Sequence, residues 1–288
     1  MTLDTVLRDA RQQLSAALSL EPKIAALEAQ ILLAHALHKP RSYLLANPSS
    51  ELDTVNLATF TSLLQRRLSG EPIAYILGKR EFYGFEFRVT PDVLIPRPET
   101  ELLVDLALAL IPEQMPFQIL DLGTGSGAIA LSLAKLRPEA QVTAVDISPK
   151  ALAVTQYNTD NLALHNVRFY LSDWFAALNP STQFDLIIAN PPYVAENDPH
   201  LSQGDVRFEP LLALKSGVDG FDDIRNIVRA APAFLCPNGH ILIEHGYNQQ
   251  DKIIELLLAL GFDAVADHRD LAGQARVSYG KKPINMMQ

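Results

Sequence analysis

Apolar positions near the N-terminus recur every three or four residues. At that spacing Leu3, Val6, Leu7, Ala10, Leu14, Ala17 and Leu18 share one helix face, and Glu21-Pro22 ends the segment. Ile24, Leu27, Ile31 and Ala34 predict a second helix that closes near Lys39-Pro40. Arg41–Ala46 fits a short third, and Leu57, Phe60, Leu64 and Leu68 predict another that ends near Gly70. Few strand signals interrupt them, so residues 1–77 read as a small helical-bundle domain.

The rhythm then changes. Phe85, Phe87 and Val89 alternate with polar residues, the period of a strand. Thr90-Pro91-Asp92 offers a turn and residues 93–95 a return strand, so residues 78–97 read as a hairpin-like connector. Beyond the prolines of Pro96-Arg97-Pro98, residues 98–288 form a second domain that opens on a helix, Glu101–Leu110. From residue 117 strands and helices alternate, with strands expected at 117–121, 141–146, 166–171, 184–189, 239–244, 263–267 and 274–280. Helices lie between most of them, for example Ala128–Leu136 and Asp222–Phe234. This alternation predicts an α/β fold with a largely parallel sheet covered on both faces.

Composition narrows the class. Of 288 residues, 48% are hydrophobic, enough for a sizeable core. No apolar run approaches the ~18–20 residues that span a bilayer. Asp4, Arg8 and Asp9 interrupt the first leucines, unlike a signal peptide. The single cysteine, Cys236, excludes an internal disulfide and fits a reducing cytoplasm. The net charge of −9 is uneven: residues 1–85 hold 9 Lys and Arg against 8 Asp and Glu, the remainder 15 against 25. An acidic second domain argues against a partner gripped through its phosphates.

Two turns carry the candidate chemistry. The first runs Asp121-Leu122-Gly123-Thr124-Gly125-Ser126-Gly127, between the strand at 117–121 and the helix Ala128–Leu136. Its glycines permit a sharp strand-to-helix turn and close approach of a ligand to the backbone. Asp146 ends the next strand, 23 positions after Gly123, where a carboxylate can accept both hydroxyls of an adenosine ribose. NAD and S-adenosylmethionine share that geometry. A third glycine at alternating spacing and an acidic residue opening the turn favour S-adenosylmethionine. Asp173 and Trp174 follow the third strand, where a carboxylate and an indole can flank an adenine ring.

The second turn is Asn190-Pro191-Pro192-Tyr193, directly after the apolar run Phe184–Ala189. An amide at a strand end, held by two prolines and followed by an aromatic ring, can grip a flat nitrogen-bearing group. The Asn190 side-chain oxygen and the Pro191 carbonyl each accept one N–H, and the Tyr193 ring covers the planar face. Such a turn has no evident use in hydride transfer, so the two turns together point to methyl transfer onto a planar nitrogen. His240 and His245 bracket a strand at odd spacing, which puts them on opposite faces, and no metal site is expected. Arg97, Glu99 and Glu101 are placed to close over the amino-acid end of the cofactor or to form a salt-bridged hinge.

Further stretches carry a resemblance. Gly70-Glu-Pro-Ile-Ala-Tyr-Ile-Leu-Gly78, Glu81-Phe-Tyr-Gly84, Val93-Leu-Ile-Pro-Arg-Pro-Glu-Thr-Glu101, Arg207-Phe-Glu-Pro210 and Glu244-His-Gly246 stand in order with the Asn-Pro-Pro-Tyr turn. In this the chain resembles the bacterial release-factor glutamine methyltransferases, the PrmC/HemK type of class I S-adenosylmethionine-dependent enzyme, over nearly its whole length. The resemblance implies a Rossmann-like sheet of seven strands, the last antiparallel, which the candidate at 274–280 fits. It implies N5-methylation of the glutamine in the Gly-Gly-Gln motif of peptide-chain release factors, with the helical domain docking that partner. It places Gly123, Thr124, Gly125, Ser126, Gly127, Asp146, Trp174 and Asn190 at the cofactor or beside it. It assigns Asn190, Pro191, Pro192 and Tyr193 to the glutamine. Two other readings compete. A nucleic-acid N-methyltransferase would present a flipped base to the same turn, against the acidic balance of the second domain. A scaffold would not need the Asn-Pro-Pro-Tyr acceptors.

Overall fold

The N-terminal rhythm folds as five helices: α1 (Leu3–Leu18), α2 (Pro22–Ala36), α3 (Arg41–Ala46), α4 (Thr54–Leu68) and α5 (Ile73–Leu77). Thr2 caps α1 by accepting from Thr5 N, Asp53 caps α4 by accepting from Asn56 N, and Pro22 opens α2 where its missing N–H costs nothing. Leu3, Val6, Ala10 and Leu14 are the buried face of α1; they meet Leu32 and Leu33 of α2 and Phe60 and Leu64 of α4 in one core. Each large side chain buried this way contributes about 1.5–3 kcal/mol.

The structure, a computed structural model, describes residues 1–285. The chain divides into two units. The first holds Met1–Lys79 together with Ser202–Phe208; the second holds Arg80–Leu201 and the described residues from Glu209 onward. A segment far along the chain thus joins the helical unit, and the reason is Arg67. This guanidinium is buried, and it is satisfied by Glu28 at 2.8 and 3.1 Å, by Asp205 at 2.9 Å, and by the carbonyls of Gly70 and Glu71. A buried cation with fewer partners would be strongly destabilising. Gly70, at φ +97°, leaves room for Arg207; a Cβ there would sit 1.9 Å from its Nη2.

A hairpin, in the second unit from Arg80 onward, is formed by β1 (Lys79–Phe82) and β2 (Phe85–Arg88). The turn is Tyr83-Gly84, with φ of +52° and +79°, as a two-residue hairpin turn requires. The expected turn at Thr90-Pro91-Asp92 does form, with Val93 N donating to Thr90 O at 3.1 Å, but it closes no hairpin, and the expected return strand at 93–95 is absent. The mostly exposed Lys79-Arg80-Glu81 run masks β1 in the sequence, and Pro91 cannot donate to a ladder. Residues 93–95 instead run as irregular chain, with Ile95 N donating to Glu209 Oε2 at 3.1 Å.

After a 3-10 turn (Pro98–Thr100) and α6 (Glu101–Leu110), the chain alternates as the pattern predicts. It passes through β3 (Phe117–Leu122), α7 (Ala128–Leu136), β4 (Ala140–Asp146), α8 (Pro149–Asn161), β5 (Val167–Leu171), β6 (Phe184–Ala189), α9 (Asp222–Phe234), β7 (Leu235–Glu244), α10 (Gln250–Ala259), β8 (Asp263–Arg269) and β9 (Ala275–Lys281). The seven strands from β3 onward order as β5-β4-β3-β6-β7-β9-β8, and β9 alone runs antiparallel to its neighbours. One sheet face packs on α6 and α7 through residues such as Leu103, Val104, Ile129 and Leu133. The other packs on α9 and α10 through Ile224, Ile227, Val228, Ile253 and Leu257. The chain fills the sheet outward from β3 in one direction and then restarts at β6 in the other. In such sheets ligands bind at the carboxyl ends of the strands where the order reverses. Among the described residues, no helix is long and apolar enough to cross a membrane.

Candidate active site

Strand register places the two turns side by side. Leu122 of β3 pairs with Ala189 of β6, so Gly123 and Asn190 leave the sheet as neighbours. A cavity of about 210 Å³ opens there. Gly123, Thr124, Gly125, Ser126, Asp146, Asp173, Trp174, Asn190 and Pro192 all line it, along with Arg97 and Thr100. Gly127, Pro191 and Tyr193 are not among its lining residues.

The glycine turn needs its glycines. Gly123, Gly125 and Gly127 have φ of +73°, +58° and +83°, a region L side chains rarely adopt. A Cβ at Gly127 would also lie 2.8 Å from Leu131 and from Thr155. The turn is held from outside. Gly123 N and Thr124 N donate to Val145 O, the Thr155 hydroxyl donates to Gly125 O at 2.8 Å, and Asn158 Nδ2 donates to Ser126 O at 2.8 Å. Thr155 and Asn158 are buried polar residues of α8 that the helical pattern gave no reason to single out.

Asp146 at the end of β4 accepts Gly125 N and Ser148 N, one on each carboxylate oxygen, both at 2.9 Å. Those bonds aim the carboxylate and leave each oxygen a lone pair for a ligand hydroxyl. Burial raises its pKa, and the two N–H donors oppose the rise. Asp121 is fully buried beneath the turn. Thr124 and Ala130 lie near enough to favour its charge, yet neither carboxylate oxygen has a hydrogen-bond partner of good geometry. Burial pushes it up to about 7. Trp174 sits at φ +46°, with its ring facing Gly123 and its Nε1 donating to Asp223 Oδ1 at 3.2 Å. The Ser172 hydroxyl donates to Trp174 O at 2.8 Å and holds that backbone.

At the second turn, Asn190 Nδ2 donates to the Thr100 hydroxyl oxygen at 3.3 Å. Tyr193 donates its hydroxyl to Glu244 Oε1 at 3.4 Å, and burial raises the phenol well above its ordinary range. Gln249 Nε2 donates to Tyr193 O at 3.1 Å and to Gly220 O at 2.9 Å, pinning the turn from below. Of the three charged residues near the connector, Arg97 alone lines the cavity. It is paired with Glu209, whose other oxygen takes Ile95 N. Glu101 accepts Tyr83 N at 2.9 Å, and Glu99 is exposed. His240 is bonded to Tyr279, and His245 to Asp267 and Ser278. Among the described residues no cluster of three His, Cys, Asp or Glu side chains is placed to hold a metal.

The residues present fit an adenosylated sulfonium amino acid. Asp146 could offer oxygens to a ribose, and Gly123, without a Cβ, lets the Trp174 ring close on the turn beside the cavity. The unpartnered carboxylate of Asp121 and the unpartnered Thr124 hydroxyl lie under the same turn.

Comparison with known proteins agrees. Residues 5–78 match the PrmC N-terminal domain and residues 116–273 a methyltransferase domain. The chain is similar to a release factor glutamine methyltransferase of Vibrio cholerae, at 48% identity over 98% of this chain and 97% of that one. It is similar to one of Burkholderia pseudomallei at 49% identity over 90% and 92%, and to one of Escherichia coli at 44% over 88% and 91%. Among solved structures, a methyltransferase from Pyrococcus furiosus shares the fold with a TM-score of 0.54 at 19% identity, covering 78% of this chain and 100% of that one. A 16S rRNA methyltransferase from T. thermophilus, solved with AdoMet and guanosine, aligns with a TM-score of 0.53 at 25% identity over 71% and 49%.

Proposed function

The chain belongs to the release factor glutamine methyltransferases, and from that premise we propose that its two adjoining turns methylate the side-chain nitrogen of the glutamine in a release factor's Gly-Gly-Gln motif. One observation carries the reading: Asn190 turns its Nδ2 toward the Thr100 hydroxyl oxygen, donating one hydrogen to it, and its side-chain oxygen is thereby placed on the other side, where it can accept from a donor. When bound, S-adenosylmethionine supplies a methyl group on a positively charged sulfur. Gly123 to Gly127 and Asp146 would hold its amino-acid and ribose parts, and Asp173 and Trp174 would flank the adenine.

An amide nitrogen is a poor nucleophile, because its lone pair is delocalised into the carbonyl. No side chain here is basic enough to remove its proton in advance. The acceptors therefore act by position. The Asn190 oxygen and the Pro191 carbonyl each take one N–H of the glutamine amide and stabilise the positive charge that grows on that nitrogen. Tyr193 packs on the amide plane. Alignment of this kind is worth up to ~7–11 kcal/mol, and the prolines maintain it without reorganisation. The surplus proton leaves to water. A release-factor substrate places the reaction in the cytoplasm, and the helical unit supplies its docking surface. A flipped nucleic-acid base is disfavoured by the acidic balance beyond residue 85.

The test is a mass measurement of the Gly-Gly-Gln peptide of purified release factor, before and after incubation with enzyme and S-adenosylmethionine. One added methyl, located on the glutamine side chain, is expected; an unchanged glutamine with methylated nucleic acid in a parallel reaction overturns the assignment.

A further inference from the structure

We propose that Glu244 is a positioning residue for the methyl acceptor: its carboxylate, acting through Thr100 and Tyr193, sets which way the Asn190 carboxamide and the Tyr193 ring face. The inference rests on Asn190 being the acceptor of the glutamine N–H. Glu244 itself does not line the cavity.

The placement follows from register. Ala189 of β6 pairs with Ile243 of β7, so Asn190 and Glu244 leave neighbouring strands at the same level, one strand beyond Gly123. Glu244 is 1% exposed. Its Oε1 accepts the Tyr193 hydroxyl, and the Thr100 hydroxyl, at the other end of the Asn190 contact, favours its charged form as well. Its Oε2 has no partner of good geometry.

An ionised carboxylate only accepts. A hydroxyl that faces it must therefore donate, and a hydroxyl has one hydrogen. In the proposed arrangement Thr100, which favours the charged form of Glu244, turns its hydrogen toward that carboxylate and presents only an oxygen to Asn190. That oxygen selects the carboxamide orientation with Nδ2 inward and Oδ1 toward the cavity. Without the carboxylate, Thr100 could donate to Asn190 equally well. The carboxamide could then flip and meet the substrate's N–H with its own. The buried charge thus gives the chain of hydrogen bonds a direction, and the Tyr193 hydroxyl on Oε1 fixes the ring angle from the same point.

Protonation reverses that direction, because a neutral carboxyl donates. Burial is the largest influence on Glu244 and raises it to about 7, with Glu99 adding to the rise; Thr100, Arg276 and Tyr193 oppose it. Arg276 on β9 is itself held by Asp270 at 3.1 Å and donates to His245 O at 3.3 Å. Arg97 also acts on the Tyr193 phenol, and the neighbouring His245 and Asp267 are paired with each other at 2.8 Å. The working form is the ionised one, so turnover at saturating substrates falls as pH drops through about 7.

The experiment compares wild type with Glu244→Ala, Glu244→Gln, Thr100→Val and Asn190→Ala. It uses full-length protein and purified release factor, measures kcat from pH 6 to 9, and measures the Kd of S-adenosylmethionine and of the release factor separately. Glu244→Ala and Thr100→Val should each lose about tenfold or more in kcat, with both Kd values within about threefold of wild type. Glu244→Gln, whose amide oxygen still accepts a hydroxyl, should recover part of the loss and show no acid limb. Adding Glu244→Ala to Asn190→Ala should cost less than Glu244→Ala costs in the wild type, since only its hold on the Tyr193 ring is left to lose. Two results overturn the proposal: kcat within twofold of wild type in folded Thr100→Val and Glu244→Gln with the acid limb intact, or Glu244→Ala losses that add fully to those of Asn190→Ala. If Glu244→Ala does not fold, Thr100→Val and Glu244→Gln decide alone. A fully active Asn190→Ala sinks the underlying acceptor reading instead.

Discussion

The two turns over the cavity solve opposite problems. The turn after β3 consists largely of glycine, has one backbone bond of its own from Gly127 N to Thr124 O, and is braced from outside by Thr155, Asn158 and the carboxylate of Asp146. The turn after β6 is stiffened by two prolines; outside contacts aim the Asn190 and Tyr193 side chains, and Gln249 adds a single hold on its backbone at Tyr193 O. A pocket that wraps a ligand with backbone needs freedom in φ and must obtain rigidity from its neighbours. A pocket that aims one carboxamide needs a backbone that does not move, and can then leave direction to hydrogen bonds.

That contrast can be broken at either turn. The largest effect is expected from Asn190→Ala, which removes the acceptor and leaves the glycine turn alone. Single-turnover methylation should fall about 10²–10³-fold while calorimetric cofactor affinity stays within a few-fold. Comparable losses in both would mean that the turns are one site rather than two. Gly127→Ala tests the other side. It forces a side chain into φ +83° against Leu131 and Thr155, so stability should fall by about 1–3 kcal/mol, read by denaturant unfolding, and cofactor affinity should fall with it. The smallest effect concerns Asp121. Its folded pKa, about 7, lies above the unfolded value. The folded state therefore holds the proton more tightly, and the stability this lends at low pH is lost as pH rises through 7. The melting temperature of the free protein should drop between pH 5 and pH 8, Glu244 acting with the same sign. Asp121→Asn should flatten the drop by an amount on the order of 1 kcal/mol; an unchanged slope would show that the carboxylate is solvated or paired.

Legibility differed between regions for the same reason. The alternation from Phe117 onward was readable because each buried strand and amphipathic helix declares itself within ten residues or so. The β1 strand was not, since only Phe82 of its four residues is buried and its polar positions look like loop. The residues that support the site share a second kind of invisibility. Thr155 and Asn158 look like polar positions on a helix, and Glu209 like any surface acid. Glu244 stood out only within a resemblance, with no task attached. Their importance comes from a partner elsewhere in the chain.

Local patterning alone specified the alternating elements, the left-handed glycine turn and the proline-stiffened amide at a strand end, because φ restrictions and apolar periodicity act between near neighbours. Which side chains meet was decided only in three dimensions. Tyr193 reaches Glu244 across 51 positions, Asn190 reaches Thr100 across 90, and Arg67 reaches Asp205 across 138. Strand order and register bring such pairs together, and both are properties of the assembled sheet and bundle, set by burial of the whole rather than by any segment's own preference.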